Sequence, residues 1–169
     1  MNRSTLTRAS LRVLVCATLL TGAAAPAAAE SLPSPACDVR PDGGSCHWDG
    51  PTRGAQDTFS VPEGVEQVSF VAKGDSTCRY VPGERIPACA ARTIVTGHLD
   101  VSATDSIDIS VGGYMGSANI SLVSGDTSTP AVFAPGWIQN GSTPFGPEGS
   151  VITRTFEGGP SQITLTWTV

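Results

Sequence analysis

The triplet Gly74-Asp75-Ser76 closes an apolar, β-branched run and places a hydroxyl where a strand gives way to a turn. A serine so placed can attack a carbonyl only if a base lies within hydrogen-bond reach and a third group orients that base. His47 and His98 are the two histidines of the chain. Three residues before them stand Gly44 and Val95, where an Asp-x-x-His pair would carry its carboxylate. His98 with Asp100 is the remaining combination, but residues two apart on a strand seldom converge on a third group. Asp105 and Asp108, with Asp126 after Gly125, come nearest to paired carboxylates. Glycoside hydrolysis needs two such groups across a cleft, and calcium needs several oxygens from one compact loop. No Asp-x-Asp-x-Asp-Gly pattern occurs, so these read as turn and edge-strand residues.

Cysteine chemistry points to structure. Cys16 lies in the leader described below, which leaves Cys37, Cys46, Cys78 and Cys89. An even count in an exported chain predicts two disulfides, for which three pairings exist. Local pairing, Cys37 with Cys46 and Cys78 with Cys89, is favoured because each pair brackets a loop containing Pro and Gly. The competing zinc site lacks Cys-x2-Cys spacing and has only His47 nearby, so no metal or other cofactor is expected.

Residues 1–29 have the form of a secretory signal. Arg3, Arg8 and Arg12 supply the positive start, residues 11–20 the apolar centre, and Ala27-Ala28-Ala29 the cleavage site. A membrane-spanning helix needs about 20 apolar residues, and Gly22 and Pro26 interrupt this run. Cleavage near Ala29 leaves seven basic against fifteen acidic residues, a net charge of −8. That balance disfavours nucleic acid and anionic membranes as partners.

The elements that position these residues are strands. Nineteen glycines and thirteen prolines imply frequent turns, and no later segment combines helix length with a 3.6-residue apolar period. Residues 57–74 read as two strands around a corner at Pro62-Glu63-Gly64, with Pro62 at the second turn position and Gly64 at positive φ. Residues 90–101 and 105–111 alternate, with Val95, Leu99, Val101, Ile107, Ile109 and Val111 facing inward. Short strands follow at 119–123, 131–138 (Val132, Phe133, Trp137), 151–156 and 163–169, with a loop at 140–149. The fold class is therefore all-β, an antiparallel sandwich or jelly-roll-like barrel with two disulfides and little or no helix. Residues 30–54 are expected as a flexible lead-in and a disulfide-pinned flap, and residues 55–169 as the β-domain.

Phe59-Ser60-Val61-Pro62-Glu63-Gly64-Val65-Glu66-Gln67-Val68 resembles the opening Phe-Thr-Val-Pro-x-Gly-Val-x-x-Val of glycine-rich β-domains in secreted and surface proteins of bacteria. The stretches at 97–113 and 159–167 are similar to later strands of that family. The family's long glycine runs are missing, and the segment between Cys78 and Cys89 stands in place of one. The resemblance implies a non-enzymatic surface-recognition role and brings no catalytic residues. Gly74-Asp75-Ser76 also looks like the nucleophile block of GDS-type hydrolases and of trypsin-like proteases, although Thr77-Cys78 follow where the latter carry two glycines.

These readings predict a secreted, non-catalytic recognition or structural module whose partner is an envelope glycan or an extracellular protein. Arg79, Tyr80 and Arg85, on the loop between Cys78 and Cys89, and Tyr114 are the candidate ligand-binding residues. Trp48 and Trp137 are further aromatics that could line a sugar-stacking face, but Trp48 is also expected to pack the flap onto the sheet, and Trp137 and Trp167 are better placed in the core. Two rivals are a protease inhibitor that inserts Arg79 or Arg85 from that loop, and a hydrolase using Ser76. Oligomeric state is not legible in the sequence.

Overall fold

The computed structural model describes residues 35–50, 54–76, 78, 79, 83, 88–112, 116–136 and 142–169. In Gln67–Lys73, Arg92–Asp100, Ser106–Val111, Ala118–Ser124 and Gln162–Thr168 apolar residues alternate with polar ones, which drives one face of each of these strands out of water. The larger sheet runs, edge to edge, β1 (Ala36–Arg40), β2 (Gly43–Asp49), β12 (Gln162–Thr168), β4 (Gln67–Lys73), β7 (Arg92–Asp100) and β11 (Val151–Thr155). The smaller runs β10 (Thr127–Ala134), β9 (Ala118–Ser124), β8 (Ser106–Val111) and β3 (Ala55–Ser60). A two-stranded ladder pairs β5 (Cys78–Arg79) with β6 (Ala88–Cys89). All pairings are antiparallel, and no helix occurs among the described residues.

One core joins the two sheets. The larger contributes Val68, Phe70, Val95, Leu99, Ile163, Leu165 and Trp167, and the smaller Ile107, Ile109, Val111, Ile120 and Val132. The alternation expected of β7, β8 and β12 is present, with Val169 lying outside at 67% exposure. Loop 142–150 touches the smaller sheet through a backbone bridge between Phe133 and Phe145.

The corner after β3 differs from the sequence reading in the position of Pro62. Val65 N–H donates to the Pro62 carbonyl at 3.2 Å, so Pro62 opens the turn and Glu63 takes the second position. Gly64 has φ +84°, the left-handed value that the third position of a type II turn requires. The strands it joins do not pair with each other: β3 belongs to the smaller sheet and β4 to the larger. The corner is where the chain changes sheets.

The segment expected as a flap is part of the larger sheet. β2 pairs with β1 on one side and β12 on the other, and Cys46 and Trp48 are buried at 1% exposure. The misreading has a physical source: only three of its strand positions are buried, so its apolar content is thin although β2 is enclosed between β1 and β12. Cys37 and Cys46 are register partners joined by a disulfide. Closing so short a loop contributes about 2–3 kcal/mol in the chain-entropy account.

Trp48 also ties the sheets together. Its indole N–H donates to Asp57 Oδ2 at 2.7 Å, from β2 to β3. Phe59, two residues along β3, packs edge-on to Trp48 at 6.1 Å between ring centroids and lies 5.0 Å from Trp167. Gly74, at the exit of β4, has no room for a side chain, since a Cβ there would stand 2.1 Å from the Pro135 carbonyl oxygen.

Removing the acceptor of a buried indole leaves an unsatisfied donor, which costs about 1–3 kcal/mol. Asp57→Ala should lower the urea midpoint accordingly without changing the slope, whereas Asp57→Asn keeps an acceptor oxygen and should recover more than half of the loss. Equal losses in the two variants would show that this hydrogen bond does not hold the sheets together.

Candidate ligand-binding face

Ser76 lies at 3% exposure, and its hydroxyl donates to the Ala90 carbonyl. Its backbone exchanges two hydrogen bonds of 2.9 Å with Gly159. Beside it Arg92 donates from Nε to the Gly74 carbonyl (3.1 Å) and from Nη2 to the Pro160 carbonyl (2.7 Å). Burial pulls the Arg92 guanidinium below its usual range, opposed by the negative charges of Asp75 and Glu157; arginine remains protonated nonetheless. Ser76 and Arg92 thus close one end of the core by satisfying backbone carbonyls.

The histidines are engaged elsewhere. His98 Nδ1 lies 3.0 Å from Ser69 Oγ on the outer face of the larger sheet. Asp100 accepts from the hydroxyl (2.7 Å) and backbone N–H (3.1 Å) of Ser102, which holds its carboxyl below the ordinary range. His47 sits 2.8 Å from Thr164 Oγ1 and 3.1 Å from Asp49 Oδ1, and the Gln162 amide donates to the same Asp49 oxygen at 2.7 Å. No described hydrogen bond joins Ser76 to either histidine.

Of the residues expected to bind ligand, Tyr80, Arg85 and Tyr114 lie outside the described residues, as does Trp137. Arg79 is a residue of β5, described by its backbone, and Cys78 is the register partner of Cys89. Trp48 is buried in the core, which fits its expected packing onto the sheet and excludes it from a ligand face. Among the described residues no group of three or more His, Cys, Asp or Glu is placed to hold a metal ion.

The outer face of the smaller sheet has a different character. Alternation that turns Ile107, Ile109 and Ile120 inward turns Asp108, Ser110, Asn119 and Ser121 outward. Register then lines these up across strands. One row reads Gln56, Ser110, Asn119, Phe133, and the next reads Thr58, Asp108, Ser121, Pro130. Each row spans three interstrand steps, about 14 Å.

Phe133 reaches this face because the register of β10 shifts between Pro130 and Val132. A bulge inserts one residue and exchanges inward for outward from that point on. Without it Val132 would face out and Phe133 would enter the core. With it, Val132 is buried and Phe133 stands opposite Asn119. Phe145 from loop 142–150 comes alongside with ring centroids 5.9 Å apart, and the two backbones exchange hydrogen bonds of 2.9 and 3.2 Å.

Two adjoining hollows follow. One, of about 320 Å³, is lined by Gln56, Asp57, Thr58, Asp108, Ile109, Ser110, Asn119 and Ser121. The other, of about 450 Å³, is lined by Pro130, Val132, Phe133 and Phe145 and shares Asn119 and Ser121 with the first. Thr58 donates to Asp108 Oδ1 at 2.9 Å, and the Asn119 amide nitrogen donates to Ser117 Oγ at 2.9 Å. Among the described residues nothing engages Asp108 Oδ2, the Asn119 amide oxygen, or the side chains of Gln56, Ser110 and Ser121. A run of free donors and acceptors therefore ends at an aromatic pair.

The sequence reading missed this face and took Asp108 for an edge-strand residue; β8 is an interior strand of its sheet. Two signals were available. Except for Val123, the outward positions of β8 and β9 hold short polar side chains, with no Lys, Arg or Glu, and Ala131-Val132-Phe133-Ala134 breaks strict alternation. Comparison with protein-family models, with curated proteins and with solved structures finds no match to this chain.

The Asp49 carboxyl is held below its ordinary range chiefly by donation from Gln162, opposed by partial desolvation and helped by the hydrogen bond and charge of His47. A carboxyl depressed by folding adds stability above its unfolded pKa and loses it as pH falls through the folded value. In Gln162→Ala the carbon NMR titration of the Asp49 carboxyl should move to higher pH; an unchanged midpoint would contradict the assignment of Gln162 as the main cause.

Proposed function

We propose that the chain is an exported, non-catalytic β-sandwich that recognises a polyhydroxylated chain, such as an envelope glycan, on the outer face of its smaller sheet. The observation that carries this reading is the junction of unengaged short polar side chains with the Phe133–Phe145 pair. Sugar rings present hydroxyls at their edges and C–H groups on their faces. Amide, carboxylate and hydroxyl groups fix the edges, and an aromatic ring covers a face. Asp108, Ser110, Asn119 and Ser121 stand on the interior strands β8 and β9, and Phe133 on the edge strand β10 is braced by its backbone bridge to Phe145, so little ordering is needed on binding.

Export rests on the three-part signal at residues 1–29 and on the cysteines. Cys78 and Cys89 face each other in the register of β5 and β6 as Cys37 and Cys46 do in β1 and β2. We take them to form the second disulfide. A non-catalytic role is supported by Ser76, whose buried hydroxyl serves a carbonyl. The resemblance of residues 59–68 to glycine-rich surface β-domains points the same way. The β5–β6 ladder, which brings the ends of the intervening loop together, favours the protease-inhibitor reading as the second choice.

Titration with neutral oligosaccharides should show saturable binding that Phe133→Ala weakens roughly tenfold through loss of stacking and burial, with the thermal midpoint moving only a few degrees. Wild-type affinity in that variant would remove the face from consideration. Stoichiometric inhibition of a trypsin-like protease, abolished in Arg85→Ala, would move the function to the loop. The mature secreted chain should expose no thiol to an alkylating reagent; two reactive thiols at Cys78 and Cys89 would rule out the second disulfide.

A further inference from the structure

The charge pattern of the two hollows narrows the ligand further, granted the glycan reading above. Their described lining contains no Lys, Arg or His. It contains two carboxylates, and one is already committed: Asp57 accepts from the Trp48 indole at 2.7 Å and from the Thr58 backbone N–H at 2.9 Å. Asp108 keeps Oδ2 unengaged among the described residues. At the other end, the faces of Phe133 and Phe145 carry the negative side of the aromatic quadrupole. Both ends therefore favour positive charge and disfavour negative charge.

We infer that the face takes a sugar chain bearing free amines, with an ammonium group at Asp108 and a neighbouring ring over Phe133. Asp108 is on β8 and Phe133 on β10, two interstrand steps and one row apart, about 12 Å. The contacts thus fall on separate units of a chain laid across the strands. A carboxylated or phosphorylated glycan would bring its charge against Asp108 with no compensating cation, and desolvating that pair opposes binding. An N-acetylated chain keeps the stacking and the neutral hydrogen bonds but loses the ion pair.

Three oligosaccharides of equal length test this: a glucosamine oligomer, its fully N-acetylated form, and a uronic acid oligomer. The amine form should bind roughly five- to tenfold more tightly than the acetylated form at low salt, and the uronate more weakly than either by a similar factor. The acidic protein would attract any polycation, so a remote charge serves as the control. Asp108→Asn should erase the difference between amine and acetyl forms, while Asp42→Asn, in the exposed turn between β1 and β2, should leave it intact. Survival of the preference in Asp108→Asn, equal loss in Asp42→Asn, or uronate binding as tight as the amine form would overturn the inference while leaving the glycan reading in place. Absence of binding by all three, or wild-type affinity for them in Phe133→Ala, would overturn both.

Discussion

A buried indole N–H must find an acceptor or forfeit the hydrogen bond it made to water, and Trp48 finds one on the opposite sheet, in Asp57. That contact, with Phe59 set against both Trp48 and Trp167, fixes β3 against β2 and β12. The consequence reaches the far side of the smaller sheet. β3 alternates Asp57 and Phe59 inward with Gln56 and Thr58 outward, so the same strand that anchors the sheets presents the first member of each polar row. Slippage of β3 by one residue would bury Thr58 and expel the anchor.

The bulge in β10 acts at the other end of those rows. It exchanges the faces of Val132 and Phe133, filling the core with the smaller branched side chain and leaving the ring half-buried on the outer face. A phenylalanine turned out of the core loses hydrophobic burial. Here Phe145 recovers part of it and enlarges the apolar surface. The outer face of the larger sheet offers a contrast: His47, Asp49, Gln162 and Thr164 pair with one another, whereas Gln56, Ser110 and Ser121 have no such partners among the described residues.

Much of the fold was legible where alternation is strict. Ile107-Asp108-Ile109-Ser110-Val111 and Ile163-Thr164-Leu165-Thr166-Trp167 declare their inward faces without help. Partners were not legible, because register is a property of pairs of strands. β2 carries Gly43, Gly44 and Ser45 before Cys46 and Trp48, and so reads as a turn-rich flap although β1 and β12 enclose it. β10 begins at Thr127, four residues before its apolar part, since pairing with β9 and not hydrophobicity sets its start. The binding face was hidden for the same reason. Thr58 and Asp108 are fifty residues apart and meet only through register.

Mapping backbone amide shifts while a sugar chain is added to isotope-labelled protein tests the location of binding directly. Shifts should concentrate at Gln56, Thr58, Asp108, Ser110, Asn119, Ser121 and Phe133, with the Trp48 indole and the strands of the larger sheet unmoved. Shifts centred on His47, Thr164 and His98, or on the segment between Cys78 and Cys89, with the smaller sheet silent, would contradict the account.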